Sequence, residues 1–260
     1  MKRRYFLFLI LPFFLSFCAD QGHDYGQRRI VEVVDGDTLR LDNGRLVRLI
    51  GIDTPEIRRK TPQGFVEDPA PFSLEAKLFA QRMAEGKSCR IELDIEKQDK
   101  YKRLLGYCFI RNGDEELFLN RELLSRGYAV LYTYPPNTRY VEEFVEAQRE
   151  AREGKRGLWG SYEAIAPEEA ASFIGQIRSV RGRVTSTYNS GKTVFLNFGA
   201  DHRTDFTAAI FKNSFGYFSA RGIVPEKAYK GKVVEVTGRI REYNGPEIIV
   251  NIPEEIEVIE

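Results

Sequence analysis

The chain has 260 residues, 42% hydrophobic, 30% charged and 12% aromatic, enough for one large or two ordinary domains with a real core. That composition excludes a disordered or low-complexity chain. A formal net charge of +1 gives no bulk argument for nucleic acid or membrane, so only the local arrangement of charge can point to either.

Met1-Lys2-Arg3-Arg4 is a basic start, and Tyr5 to Phe17 is an apolar run. Together they read as a signal peptide, too short for a comfortable membrane span. Its end, Leu15-Ser16-Phe17-Cys18, resembles a lipobox. The expectation is an exported envelope lipoprotein, residues 1–18 being the leader, with Cys18 lipidated and the membrane reached through that anchor. Simple secretion is the alternative. With Cys18 spent on lipid, Cys89 and Cys108 remain, flanking a hairpin apex at Gln98-Asp99. They are either a disulfide or two buried thiols.

Strands come next. "IVEVV", "TLRL" and "RLVRLIGI" alternate apolar and polar residues, with turns at Asp35-Gly36 and Asn43-Gly44. A long polar loop follows from Pro55 to Pro71. Leu74, Leu78, Phe79 and Met83 fall at helical spacing, closed by Gly86. "CRIELDI" and "LLGYCFI" are further strands. "NRELLSRG" is a short helix with Asn120 as N-cap, and Tyr140 to Arg152 is a third helix. Residues 161–171 form an acidic, Ala-rich linker or docking helix. Strands then return: "RSVRGRVTSTY", "KTVFLNF", "DFTAAIF", a helical connection, "KVVEVTGRIREY" and "EIIVNI". Five strands with a helical insert after the third is an OB-like order for residues 172–260.

Two acidic knots carry the chemistry. Asp35-Gly36-Asp37 ends one hairpin, and Asp53-Thr54-Pro55-Glu56 follows one strand later. In an antiparallel meander these ends can meet. Asp37, Asp53 and the Thr54 carbonyl then offer hard oxygen ligands that suit calcium. Glu56 can orient or deprotonate a water. Arg48 and Arg103 can grip a phosphate and stabilise charge as it develops there.

"VVDGDTLRL", "RLIGIDTPE", "DKYKRLLGY" and "GKRGLWG", in this order and spacing through residues 28–160, resemble the staphylococcal (micrococcal) nuclease family, the thermonucleases. The resemblance implies an OB-type five-stranded barrel with three helices. The fold class is mostly β with α, followed by a second, smaller OB-like barrel. It implies calcium on Asp37, Asp53 and Thr54, catalytic roles for Arg48, Arg103 and Glu56, and a supporting role for Asp35. Lys100, Tyr101, Tyr132 and Tyr134 match nucleotide-contacting positions, and the Pro135-Pro136 bond is a candidate cis bond. The expected activity is hydrolysis of DNA and RNA with low sequence specificity, leaving 3′-phosphate ends.

In the second barrel Tyr188, Phe195, Phe198, Phe206 and Phe211 are either stacking platforms or core. Arg178, Arg181, Arg183 and Lys192 are either a basic groove or a solvated face. The expected partner is single-stranded nucleic acid, with no protein partner, and a monomer. The competing reading is a non-catalytic envelope module that binds nucleic acid or protein through its two barrels.

Overall fold

The computed structural model describes residues 24–61, 63–201 and 203–260. Residues 1–18, expected to be a leader ending at Cys18, lie outside the described residues, as does His202.

Alternation of apolar and polar residues builds the first barrel. Asp24–Asp35, Thr38–Leu41 and Leu46–Leu49 form an antiparallel meander, and Ser88–Gln98 and Leu104–Asn112 form a hairpin. Asp24–Asp35 pairs with Ser88–Gln98, and Leu46–Leu49 runs parallel to Leu104–Asn112. The five strands therefore close on themselves, in the order third, second, first, fourth, fifth and back to third. Ile30, Leu39, Leu41, Val47, Leu49 and Ile91 point inward and are fully buried. Removing them from water is the main term holding the barrel.

Three helices cover this barrel. In Ser73–Ala84 the buried face is Ser73, Ala76, Phe79, Ala80 and Ala84, whereas Leu74 and Leu78 are about half exposed. The large apolar residues at helical spacing are thus split: Phe79 is buried and Met83 packs against the core, but the two leucines do not. The small alanines let the helix approach the sheet closely, and the leucines are left outside. In Val141–Glu153 the buried face is Val141, Phe144, Ala147, Gln148 and Ala151. Asn120 is not an N-cap. It lies inside the helix Leu119–Ser125, fully buried. Its amide donates to the Ile50 carbonyl at 2.9 Å and accepts from the Cys108 amide at 3.0 Å. It satisfies two backbone groups that would otherwise be unpaired where the barrel is interrupted.

The long loop departs from expectation, and the cysteines take one of their two alternatives. The segment from Pro55 to Pro71 contains an exposed hairpin, Arg58–Thr61 with Gly64–Glu67. Cys89 and Cys108 are free, buried thiols. Cys89 faces Ile110 and Cys108 faces Ile91, so the two sit diagonally across the ladder instead of opposite each other. Burial pushes the Cys108 thiol well above its usual range, and Cys89 beside it adds to the push. The Pro135-Pro136 bond is cis.

The second barrel repeats the first one's strand order. Its first strand bends, running through Ile177–Arg183 and Ser186–Asn189, and pairs with both Val233–Arg239 and Thr193–Asn197. Thr193–Asn197 pairs with Thr207–Phe211, which runs parallel to Pro246–Ile249. Pro246–Ile249 pairs back to Arg241–Glu242, and Ile256–Val258 pairs with Val233–Arg239. Helices Phe215–Ala220 and Pro225–Ala228 sit between the third and fourth strands. Val180, Leu196, Phe206, Ile210, Phe218 and Val236 fill the interior.

The barrels are fastened together. Ile252 of the second is buried in the core of the first. Val130 and Leu158 of the first pack with Ile177 of the second. The buried Glu255 carboxylate accepts the Thr133 amide at 3.0 Å, and Glu235 takes Arg152 at 2.8 Å. The segment between them is a 3-10 helix, Pro167–Phe173, whose Ala170 is buried in the second core. Among the described residues no helix is long and apolar enough to cross a membrane.

Candidate active site

The first acidic knot is shaped by space. Gly36 does not have a positive φ, contrary to the usual reason for glycine in such a turn. A Cβ there would meet Thr54 Oγ1 at 2.8 Å and Ala76 Cβ at 3.1 Å. Glycine is required because the second knot and a helix press against the first. The turn residues are Gly36 and Asp37, since Asp35 already pairs with Thr38. Asp37 is thereby aimed inward, and it is buried. One of its carboxylate oxygens accepts the Thr54 amide at 3.2 Å and the Thr54 hydroxyl at 3.0 Å.

The second knot depends on Gly51. The third strand stops at Leu49, and Gly51 takes φ 82° with its Cα against the Phe144 ring, where a Cβ would lie 2.2 Å from a ring carbon. The chain then re-enters a short strand, Gly51–Asp53, paired with Val130–Tyr132. Asp53 and Thr54 are buried at its end.

Arg48 joins the knots. Its guanidinium lies 3.1 Å from Asp37 and 2.9 Å from Asp53, and it also donates to the Ile52 carbonyl at 3.0 Å. Burial alone would lower this guanidinium, but Asp37, Asp53 and Glu56 outweigh it and hold it charged. Burial also raises the Asp35 carboxyl, and the Asp37 charge adds to the push. Asp35 accepts the Gly36 amide at 2.8 Å, which works against the rise. Burial pushes the Glu56 carboxyl up to about 7, aided by Asp37, Asp53 and Asp35 and opposed by Arg239. Half of the Glu56 side chain is exposed, so water screens part of that push.

Beside this cluster opens a cleft of about 450 Å³. Arg48, Lys100, Tyr101, Arg103, Tyr132 and Tyr134 all line it. Arg103 is held by Asp99, at 2.7 Å to the carboxylate, and its guanidinium lies 5.6 Å from the Tyr101 ring centre. Tyr101 and Tyr134 are largely exposed, as stacking platforms need to be. Tyr132 is more enclosed, and burial together with Asp53 and Glu255 pushes its hydroxyl up to about 12. The fold thus gathers the expected residues into two adjoining groups. Asp35, Asp37, Asp53, Thr54 and Glu56 form the acidic one, and the cleft is the other, with Arg48 belonging to both.

One residue of this site has no counterpart in the sequence reading. Arg239, at the end of a second-barrel strand, reaches into the acidic group. It donates to Asp53 at 3.0 Å and to the Thr54 carbonyl at 2.8 Å, and lies 3.5 Å from Glu56. Within "GRIREY" it alternates like any strand arginine, so nothing in the sequence marks it.

The donor chemistry of Asp37, Asp53 and the Thr54 carbonyl fits a hard cation, and the Arg239 guanidinium already stands on two of those three as a positive group. Among the described residues no group of three or more His, Cys, Asp or Glu side chains is arranged to hold a metal ion. The fit therefore depends on a backbone carbonyl and on waters completing the shell.

Comparison with known proteins bears on the family of the first barrel. The model of the staphylococcal nuclease homologue family matches residues 46–161. An uncharacterized protein of Methanocaldococcus jannaschii is 38% identical over 162 residues, 56% of this chain and 76% of the relative. A thermonuclease of Staphylococcus intermedius is 35% identical over 152 residues, 57% of this chain and 83% of the relative. An endonuclease of Bacillus subtilis is 31% identical over 150 residues, 54% of this chain and 67% of the relative.

Proposed function

The chain belongs to the family of staphylococcal nuclease homologues, and we propose that it is an exported, calcium-dependent nuclease acting on both DNA and RNA. It cuts with low sequence specificity and leaves 3′-phosphate ends. The observation that carries this reading is Arg48, which bridges Asp37 and Asp53 while facing a cleft that also holds Arg103, Lys100, Tyr101, Tyr132 and Tyr134. A site that only bound nucleic acid would have no need for a buried carboxylate pair beside its arginines.

Each side chain then has a task. Tyr101 and Tyr134 offer ring faces to bases, and Lys100 attracts the phosphate backbone. Arg48 and Arg103 hold the scissile phosphate and stabilise charge as it builds on the phosphoryl oxygens. Arg48 is pinned by two carboxylates and Arg103 by Asp99, so neither has to reorganise during reaction. Glu56, with its carboxyl raised toward neutrality, can take a proton from an attacking water. Asp37, Asp53 and the Thr54 carbonyl would hold calcium, and Asp35 buttresses that turn. The bound ion would supply Lewis-acid polarisation of a phosphoryl oxygen.

The second barrel serves to hold single strands. A pocket of about 460 Å³ lies across its first, second, third and fifth strands and the turn before the fifth, lined by Tyr188, Phe195, Asn197, Thr207, Tyr243 and Glu247. The Tyr188 and Phe195 rings are nearly parallel, 13° apart, and Tyr188 and Tyr243 are mostly exposed. Glu247 is buried, and one of its oxygens makes no hydrogen bond. It suits the amino edge of a base better than a phosphate. Export with a lipid on Cys18, a division at residues 161–171 and a monomeric state complete the proposal.

The test is cleavage of DNA and of RNA by protein lacking residues 1–18, in calcium and then in chelator. Cleavage that stops with the chelator supports the reading. Absence of cleavage by folded protein contradicts it.

A further inference from the structure

The inference drawn here rests on the nuclease reading and concerns how the metal face is governed. The oxygens offered to a divalent cation are already engaged by arginines. Arg48 takes one Asp53 oxygen and one Asp37 oxygen. Arg239 takes the other Asp53 oxygen through both Nε, at 3.0 Å, and Nη2, at 2.9 Å. The same Nη2 donates to the Thr54 carbonyl at 2.8 Å and stands 3.5 Å from Glu56. A guanidinium on two designated ligands and near Glu56 occupies the charge that calcium would occupy.

Arg239 is held there from behind. Its Nη1 donates to the Gly175 carbonyl at 2.9 Å, and its side chain is 19% exposed. It faces Ile177 across the ladder, and Ile177 packs with Val130 and Leu158 of the first barrel. The seat of Arg239 is therefore fixed by the docking of one barrel on the other. A guanidinium stays protonated at any working pH, so Arg239 is a lasting positive charge.

We infer that Arg239 is a built-in competitor of the divalent cation, through which the second barrel sets the metal affinity of the first. Full occupation of the face by metal requires the guanidinium to leave Asp53 and Thr54. Anything that shifts the second barrel, a bound strand included, loosens that seat and raises metal affinity. Arg239 is a positioning residue in this account and does not touch the reacting phosphate.

The experiment is calorimetric titration of calcium into the mature chain and its Arg239→Gln and Arg239→Lys variants, without substrate. Near-ultraviolet circular dichroism on the same samples checks the fold. Arg239→Gln removes the charge and should bind calcium at least about tenfold more tightly, a gain of about 1.4 kcal/mol. Arg239→Lys keeps the charge and should stay within about threefold of the natural chain, under half that gain. Equal or weaker binding by a folded Arg239→Gln overturns the competition while leaving the nuclease reading intact. Failure of all three to bind calcium removes the metal reading itself, and the competition with it. If Arg239→Gln misfolds, the lysine variant decides alone: a tenfold change in its affinity overturns a mechanism based on charge.

Discussion

Both barrels run third strand parallel to fifth and close through first and fourth, yet they carry different residues at matching turns. In the first barrel the turn between strands one and two is Gly36-Asp37, which aims a carboxylate inward. In the second that turn is Ser190-Gly191-Lys192, with no acid. After its third strand the first barrel breaks at Gly51 and delivers Asp53, Thr54 and Glu56. The second passes almost directly from Thr207–Phe211 into helix. Its exposed aromatics, Tyr188 and Tyr243, flank a pocket instead of a pair of buried aspartates. One topology thus carries two different sets of side chains at its turns, which the proposed function reads as two tasks.

The contrast can be broken most severely at Arg103. Arg103→Ala should lower turnover on an oligonucleotide by on the order of 10²–10³-fold, since the cleft loses one of its two arginines. Steady-state rates check this, and near-normal turnover would leave Arg103 as a structural partner of Asp99. A second attack is on the independence of the barrels. Ile252→Ala should cost about 2–5 kcal/mol in urea unfolding. Because Ile252 sits in the other barrel's core, loss should come as one transition; two separate transitions would mean that the barrels fold as strangers.

The contact between barrels also carries a pH signature. Burial pushes the Glu255 carboxyl up to about 8 from its ordinary 4.5, while the Asn251 and Thr133 amides pull against it. Between those values the unfolded chain has lost a proton that the native chain keeps. Stability therefore falls as pH rises from about 4.5 to about 8, by up to a few kcal/mol. In Glu255→Gln that part of the slope should flatten. A series of melting curves across this range shows it, and an unchanged slope would assign it elsewhere. The gentlest change sharpens the contrast. Tyr188→Ala should weaken binding of long single strands by about 1–3 kcal/mol and leave the rate on a dinucleotide unchanged. A fall in that rate would draw the second pocket into the chemistry.

The acidic group and the cleft were legible because their residues lie in short motifs between strands of clear alternation. Asp37 and Asp53 are one hairpin apart, so local geometry brings them together. The helical face at Ser73–Ala84 is only half marked by its large residues, Phe79 and Met83, because close packing puts alanine where hydrophobicity points to leucine. Asn120 resembled a cap because capping and buried bridging call on the same amide. Arg239 was illegible for a different reason: it meets Asp53 across 186 residues of sequence, through the docking of one barrel on another. No local pattern encodes that approach.

Under the proposed function, cutting belongs to the first barrel and strand holding to the second, so the two are separable. The most direct measurement pairs cleavage rate with single-strand affinity in Arg48→Ala, using protein that lacks residues 1–18, in calcium. The account predicts cleavage lost by orders of magnitude with long-strand affinity largely kept. Cleavage at the natural rate by a folded Arg48→Ala protein would contradict it.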